Sequence, residues 1–279
     1  LNSASQPVLV DFERSILAAS DFTHSEAKRR SLDQSLRKVA QRVIVGRYVN
    51  QTARENAKRF IAELPARRRI LIIGGAVKGS GAEELYEDPS LSVISFDIAS
   101  SGLTQFIADA HDIPLATGSV DGVWIQAVLE HVLDPWRVAE EIHRVLAPQG
   151  IVYADTPFMQ PVHAGPWDFT RFSESGHRWL FRRFERIDSG VVSGSGSTLV
   201  TSIDYAVRAI FRSSVLGRVF RRVLWPLATA IDRVGGRAQM VDAASAVFFL
   251  GRRAERSLVP RDMIAEYRGA QRGSVHDSR

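Results

Sequence analysis

The 279-residue sequence contains no cysteine, 3 methionines and 11 prolines, and it carries lysine at only four places: Lys28, Lys38, Lys58 and Lys78. Without cysteine there can be no disulfide framework, zinc ribbon, iron–sulfur cluster or thiolate nucleophile. Chemistry is left to oxygen, nitrogen or a bound cofactor. No stretch offers the eighteen or more apolar residues that a membrane-crossing helix needs. Leu1 to Pro7 has neither the basic nor the apolar region of a secretory signal. A soluble, cytoplasmic protein is expected, and no metal.

Charge is present but unevenly placed. The 36 Lys+Arg against 31 Asp+Glu give +5 overall. Residues 1–69 carry 14 basic and 7 acidic side chains, residues 70–181 carry 5 and 15, and residues 201–279 carry 14 and 7. The acidic middle argues against a nucleic-acid surface there. The arginine excess with abundant alanine fits a GC-rich bacterial genome, and no nucleic-acid partner is expected.

Residues 1–69 read as a helical segment. Asn50 is a candidate N-cap, and Ala53, Ala57, Phe60, Ile61 and Leu64 recur at helical spacing until Pro65. Ile70-Leu71-Ile72-Ile73, ending at Gly74-Gly75, reads as a buried strand. Further strands are expected at 92–98, 105–108, 122–127, from Ile151, at 185–192 and at 244–250. Asp134-Pro135 should cap a helix running to Ala147, which Pro148-Gln149-Gly150 ends. This alternation predicts an α/β fold, a doubly wound Rossmann-like sheet of seven mostly parallel strands with helices on both faces. The expected divisions are a core at 70–200, an arginine-rich helical insertion at 201–240, the last strand at 241–253 and a tail at 254–279.

Gly74-Gly75-Ala76-Val77-Lys78-Gly79-Ser80-Gly81 lies between the first strand and a short helix at Ala82 to Tyr86. Such a loop lets backbone approach a ligand closely, or it is only a turn. Asp97, about twenty residues on at the tip of the second strand, can accept both hydroxyls of a ribose; otherwise it caps a loop beside Ser100 and Ser101. Asp109, after the short third strand, can receive an adenine amino group or serve a turn.

Residues 70–158 resemble the class I S-adenosylmethionine-dependent methyltransferases, the branch called methyltransferase domain 11. The likeness rests on Ala108-Asp109-Ala110-His111-Asp112-Ile113-Pro114-Leu115, Ser119-Val120-Asp121-Gly122-Val123, Val128-Leu129-Glu130-His131-Val132-Leu133-Asp134-Pro135 and Arg144-Val145-Leu146-Ala147-Pro148-Gln149-Gly150. It implies S-adenosylmethionine as cofactor. Gly74, Gly75 and Gly79 would wall its methionine part, Asp97 would bind ribose and Ile98 would pack on adenine. Asp109 and Ala110 would take the adenine edge, and Gln126 would lie near the sulfonium. The family usually places an acidic residue just before the glycines, where this chain has Ile72-Ile73. Trp167-Asp168-Phe169-Thr170-Arg171-Phe172-Ser173 is similar to a segment of bacterial members associated with cell-surface sugars.

The expected reaction is methyl transfer to a small-molecule or glycoside-like acceptor, at oxygen. An alcohol must lose its proton, which makes His131 and His163 the candidate bases. His131 could instead orient its own segment, and His163 could simply be exposed. Trp167, Phe169 and Phe172 could form a ring platform with Asp168 and Arg171 as polar contacts, or Asp168 and Arg171 could pair to hold the loop. His177 reads as structural. A short-chain dehydrogenase needs Tyr-x-x-x-Lys, and none of the 5 tyrosines has lysine four places on. Asp155-Thr156-Pro157-Phe158 follows the fifth strand rather than the fourth, unlike a nucleic-acid amino-methyltransferase. Cytosine carbon-5 methylation needs the absent cysteine. A methyltransferase-like binding protein without turnover is the alternative. Residues 203–234 form a basic amphipathic stretch that suits a lid, a homodimer or peripheral contact with an anionic membrane.

Overall fold

Asn50 starts the first regular element. Its side-chain oxygen accepts a hydrogen bond from Ala53 N at 2.9 Å, satisfying one of the unpaired donors of helix α1, Gln51–Glu63. The computed structural model describes residues 6–22, 50–65 and 67–271. The buried face of α1 is Ala53, Asn56, Ala57 and Phe60, and the Phe60 ring meets Trp124 edge-on at 5.5 Å.

The apolar run after Arg68 forms strand β1, Arg69–Ile73, and is followed by α2, Glu83–Glu87, and β2, Ser92–Asp97. Next come β3, Phe106–Ile107, β4, Val120–Gln126, and α3, Pro135–Val145. Asp134 caps α3 by accepting from Arg137 N at 3.0 Å, and Pro135 fills its first turn, where no N–H is needed. Then follow β5, Leu146–Pro157, α4, Glu174–Leu180, and β6, Phe184–Ser193. The chain ends with α5, Ser195–Phe211, α6, Ser214–Val234, α7, Arg237–Asp242, β7, Ala246–Arg253, and α8, Met263–Glu266.

The seven strands form one mixed sheet in the order β3-β2-β1-β4-β5-β7-β6. β1 is parallel to β2 and β4, β3 is parallel to β2, and β7 runs antiparallel to β6. Strand order reverses between β1 and β4, the place where sheets of this kind bind ligands. By contacts the chain divides into Leu1–Gln126 with Asp134–Val152, and Ala127–Leu133 with Tyr153–Arg279.

In the first unit Ile70, Leu71, Val123, Trp124 and Ile125 are sealed from solvent, each such side chain contributing roughly 1.5–3 kcal/mol. In the second, Phe181 stacks on Phe249 at 5.0 Å and meets Phe184 edge-on.

Three details depart from the sequence reading. Residues 6–18 are not helical: Val8 forms a parallel bridge with Ile107, and Leu9 N donates to Ile107 O at 2.8 Å. The two-residue β3 would otherwise leave an unpaired outer edge. Most of the rest of the expected N-terminal helical segment, 23–49, lies outside the described residues. Second, β5 begins at Leu146, so Pro148-Gln149-Gly150 belongs to a strand, with Gln149 at φ 67°. Third, the basic stretch is two helices, broken where Arg212 takes a left-handed conformation and Ser213 caps α6. Val215, Val219, Val223 and Leu227 of α6 are exposed. No helix among the described residues is long and apolar enough to cross a membrane.

Candidate active site

The glycine loop leaves β1 with Gly74 at φ 78°, and Gly74 N and Gly75 N both donate to Phe96 O at 3.0 Å. The tip of β2 is thereby tied to the loop. Asp97 strengthens the tie: its carboxylate accepts from Ala76 N at 3.0 Å, and from Ala99 N at 2.9 Å, a local cap of the loop that leads to Ser100 and Ser101. Burial, then the Asp97 charge, pushes the nearby Tyr86 hydroxyl up to about 12, which keeps it neutral. Ile98, beside Asp97, is 51% exposed, an apolar side chain left open at the strand end. Gln126, at the end of β4, lies across the loop. Its Nε2 donates to Ser80 O at 3.2 Å, and a Cβ on Gly79 would stand 2.1 Å from its Oε1. Only glycine leaves that side chain its place.

Asp109 is already engaged. Its carboxylate accepts from the Ser15 hydroxyl, from His111 N at 3.0 Å and from His111 Nδ1 at 2.5 Å. Burial pushes this carboxyl up, but those hydrogen bonds hold it below its ordinary value. His111 Nε2 in turn accepts from Asp134 N at 3.1 Å, the N-cap of α3. The ring therefore carries its proton on Nδ1 and links the end of β3 to the start of α3. Ala110 is buried beside it.

The second unit holds a separate constellation. Leu129–His131 forms a single 3-10 turn whose Glu130 carbonyl accepts from Phe169 N at 2.8 Å, drawing the 167–171 segment against it. His131 Nδ1 lies 2.7 Å from Trp167 O, and the His131 and His163 rings meet edge-on at 5.1 Å. Both expected bases are thus brought together. Between them lies a residue that the sequence reading did not single out. The side chain of Glu130 is 1% exposed, its Oε1 is 3.6 Å from His131 Nε2 and 3.8 Å from His163 Nε2, and neither oxygen has a hydrogen-bond partner. Burial, reinforced by the charge of Asp155, pushes its carboxyl up to about 8. His163 is held below its ordinary value by burial, against the pull of Asp168.

Asp168 and Arg171 are paired with each other. Arg171 donates to both oxygens of Asp168, at 2.7 Å through Nη2 and at closer range through Nη1, and His163 N donates to Asp168 at 2.9 Å. These contacts hold the Asp168 carboxyl far below the usual carboxylate range, the Arg171 hydrogen bonds being the largest cause. Of the expected ring platform, Trp167 and Phe169 are exposed, but Phe172 is buried 6.0 Å from His177 and presents no surface. His177 is fully buried between Phe172 and Phe181, as a structural residue would be.

Residues 74–154 match the family model of the methyltransferase domain. The chain carries a methyltransferase domain. A curated malonyl-[acyl-carrier protein] O-methyltransferase of Enterobacter lignolyticus (strain SCF1) is 23% identical over 152 residues, 51% of this chain and 61% of that one. The match therefore spans less than two thirds of that relative. Among solved structures, Haemonchus contortus phosphoethanolamine N-methyltransferase 2 is 14% identical, with TM-score 0.51, over 82% of this chain and 60% of that chain, and shares the fold. A SAM-dependent methyltransferase from Archaeoglobus fulgidus is 13% identical, with TM-score 0.49, over 77% of this chain and 98% of that chain.

Proposed function

We propose that the protein is an S-adenosylmethionine-dependent methyltransferase acting on a hydroxyl of a small-molecule or glycoside-like acceptor. The observation that carries this reading is the Asp97 carboxylate fixed beside the glycine loop within the methyltransferase domain. Gly74, Gly75 and Gly79 would hold the methionine portion, Asp97 the ribose, and the open Ile98 the adenine face. The Ser15 hydroxyl already occupies Asp109, so Ala110 and the neighbouring backbone would take most of the adenine edge. The bound cofactor supplies an electrophilic methyl carbon.

This chain's residues must then orient the acceptor and remove its proton. Trp167 and Phe169 offer exposed aromatic surface of the kind that a sugar or ring packs against. The cluster around His131 and His163 is where the hydroxyl would lose its proton. Oxygen as the target is supported by that cluster and by the O-methyltransferase named above.

Calorimetry with S-adenosylhomocysteine, followed by turnover on a panel of hydroxyl acceptors, tests the reading. The intact chain should bind, and Asp97→Ala should weaken binding about tenfold or more, the loss of a charged hydrogen bond. His131→Ala and His163→Ala should lower turnover at unchanged cofactor affinity. No binding by the intact chain refutes the assignment, and binding with no turnover on any acceptor favours a cofactor-binding protein without catalysis.

A further inference from the structure

A carboxyl group buried with neither a hydrogen-bond partner nor a close cation, as Glu130 is, keeps its neutral form until a cation is brought to it. What faces it is a pair of imidazole nitrogens whose chemistry the structure defines. His131 Nδ1 is 2.7 Å from the Trp167 carbonyl, which can only accept, so Nδ1 carries the hydrogen and Nε2 a lone pair. His163 Nδ1 is 3.4 Å from an oxygen of Asp168, an acceptor held ionised by Arg171, so His163 Nε2 is likewise left with its lone pair. Both Nε2 atoms approach the same Glu130 oxygen, at 3.6 and 3.8 Å, and one ligand atom from each of the three residues lies within 4.8 Å of the others. We infer that Glu130, His131 and His163 bind a divalent transition-metal cation.

Four features support a built site. Tetrahedral bonds of about 2.1 Å separate ligand atoms by roughly 3.4 Å, so these spacings need only small side-chain adjustments. The Trp167 carbonyl and the Asp168 carboxylate sit behind the two rings, where outer partners fix ring orientation and raise ligand basicity. The half-exposed His163 provides an opening for the ion. Two imidazoles and one carboxylate suit zinc, cobalt, nickel or iron(II) better than magnesium, and they leave a coordination position open. An acceptor hydroxyl placed there would be oriented by the ion and would lose its proton to solvent water more easily. That role rests on the proposed function; binding of the ion does not.

The test uses the untagged full chain, stripped with a chelator and titrated with Co²⁺. The expected result is one ion per chain, with visible d–d absorption of low-symmetry, nitrogen-containing coordination, displaced by Zn²⁺. Glu130→Gln and His163→Ala should each weaken binding about tenfold or more, while Asp168→Asn, acting through the ring, should weaken it about tenfold. Circular dichroism shows which variants fold, and the intact chain's stoichiometry stands even if one variant does not. Absence of Co²⁺ binding, or binding unchanged in Glu130→Gln and His163→Ala, overturns the site. S-adenosylhomocysteine calorimetry on the same samples separates the two readings: nucleoside binding without Co²⁺ binding removes the metal alone, and the converse removes the cofactor alone.

Discussion

His177 offers a measurement in which burial alone sets the result. Its ring sits between Phe172 and Phe181, both nitrogens lack hydrogen-bond partners, and burial lowers its pKa to about 3. In the unfolded chain the same side chain titrates near 6.5. The folded value is the lower one, so below about pH 6.5 the unfolded state binds the extra proton and stability falls as pH falls toward about 3. Linkage between these values gives a loss of about 2 kcal/mol between pH 7 and pH 5. His177→Leu keeps an apolar side chain of similar bulk and removes the titration. Urea unfolding of both proteins at the two pH values isolates the effect, because every other titrating group cancels in the double difference. The stability gap should shift by about 2 kcal/mol in favour of the variant at pH 5. Profiles that run parallel within about 0.5 kcal/mol would mean that the ring is hydrated or partnered in solution, and the reasoning fails.

Gly81→Ala should destabilise by about 3 kcal/mol in denaturant melts, because φ is +88° and a Cβ would stand 2.3 Å from Asn50 O and 2.9 Å from Arg54 N, backbone atoms that cannot yield cheaply. A loss under about 1 kcal/mol would show that the first turn of α1 is looser than described. Asp204→Ala should cost about 3 kcal/mol by the same assay, because its buried carboxylate pairs with Arg208 at 2.6 Å and Arg221 at 3.6 Å and the arginines would lose that counter-charge. An unchanged midpoint would rule out that the pair fastens α5 to α6.

What the sequence made legible was local. Asn50, Asp134-Pro135 and the glycine loop before Asp97 announce themselves because capping and turn chemistry act within a few residues. Glu130 stands within the Val128 to Pro135 motif, yet nothing local marks it, because its burial depends on the 167–171 segment folding onto its carbonyl from nearly forty residues away. The turn role of Asp109 was legible, because His111 N lies two residues on, but its bond from the Ser15 hydroxyl was not, because 94 residues separate the two and only the fold joins them. Phe172 shows the opposite failure: an aromatic beside Trp167 and Phe169 reads as part of one platform, yet it points into the core.

The two long helices α5 and α6 enter and leave the sheet at a single point. Ser193 and Ala246 are cross-strand partners, and Ser245 N donates to Ser193 O at 2.8 Å. Asp232, near the end of α6, reaches back to Gly196 N at 2.8 Å and Ser197 Oγ at 2.7 Å, so the excursion is clasped where it began. In topological terms, Ser195 to Asp242 with α7 is one very long loop of the β6–β7 hairpin. The strand pairing closes the base of this excursion, so changes on the exposed face of α6, at Val215, Val219 and Val223, should leave the register of the two strands in place, whereas α5 is tied in through buried Val200 and the Tyr205 hydroxyl that donates to Val162 O at 2.7 Å.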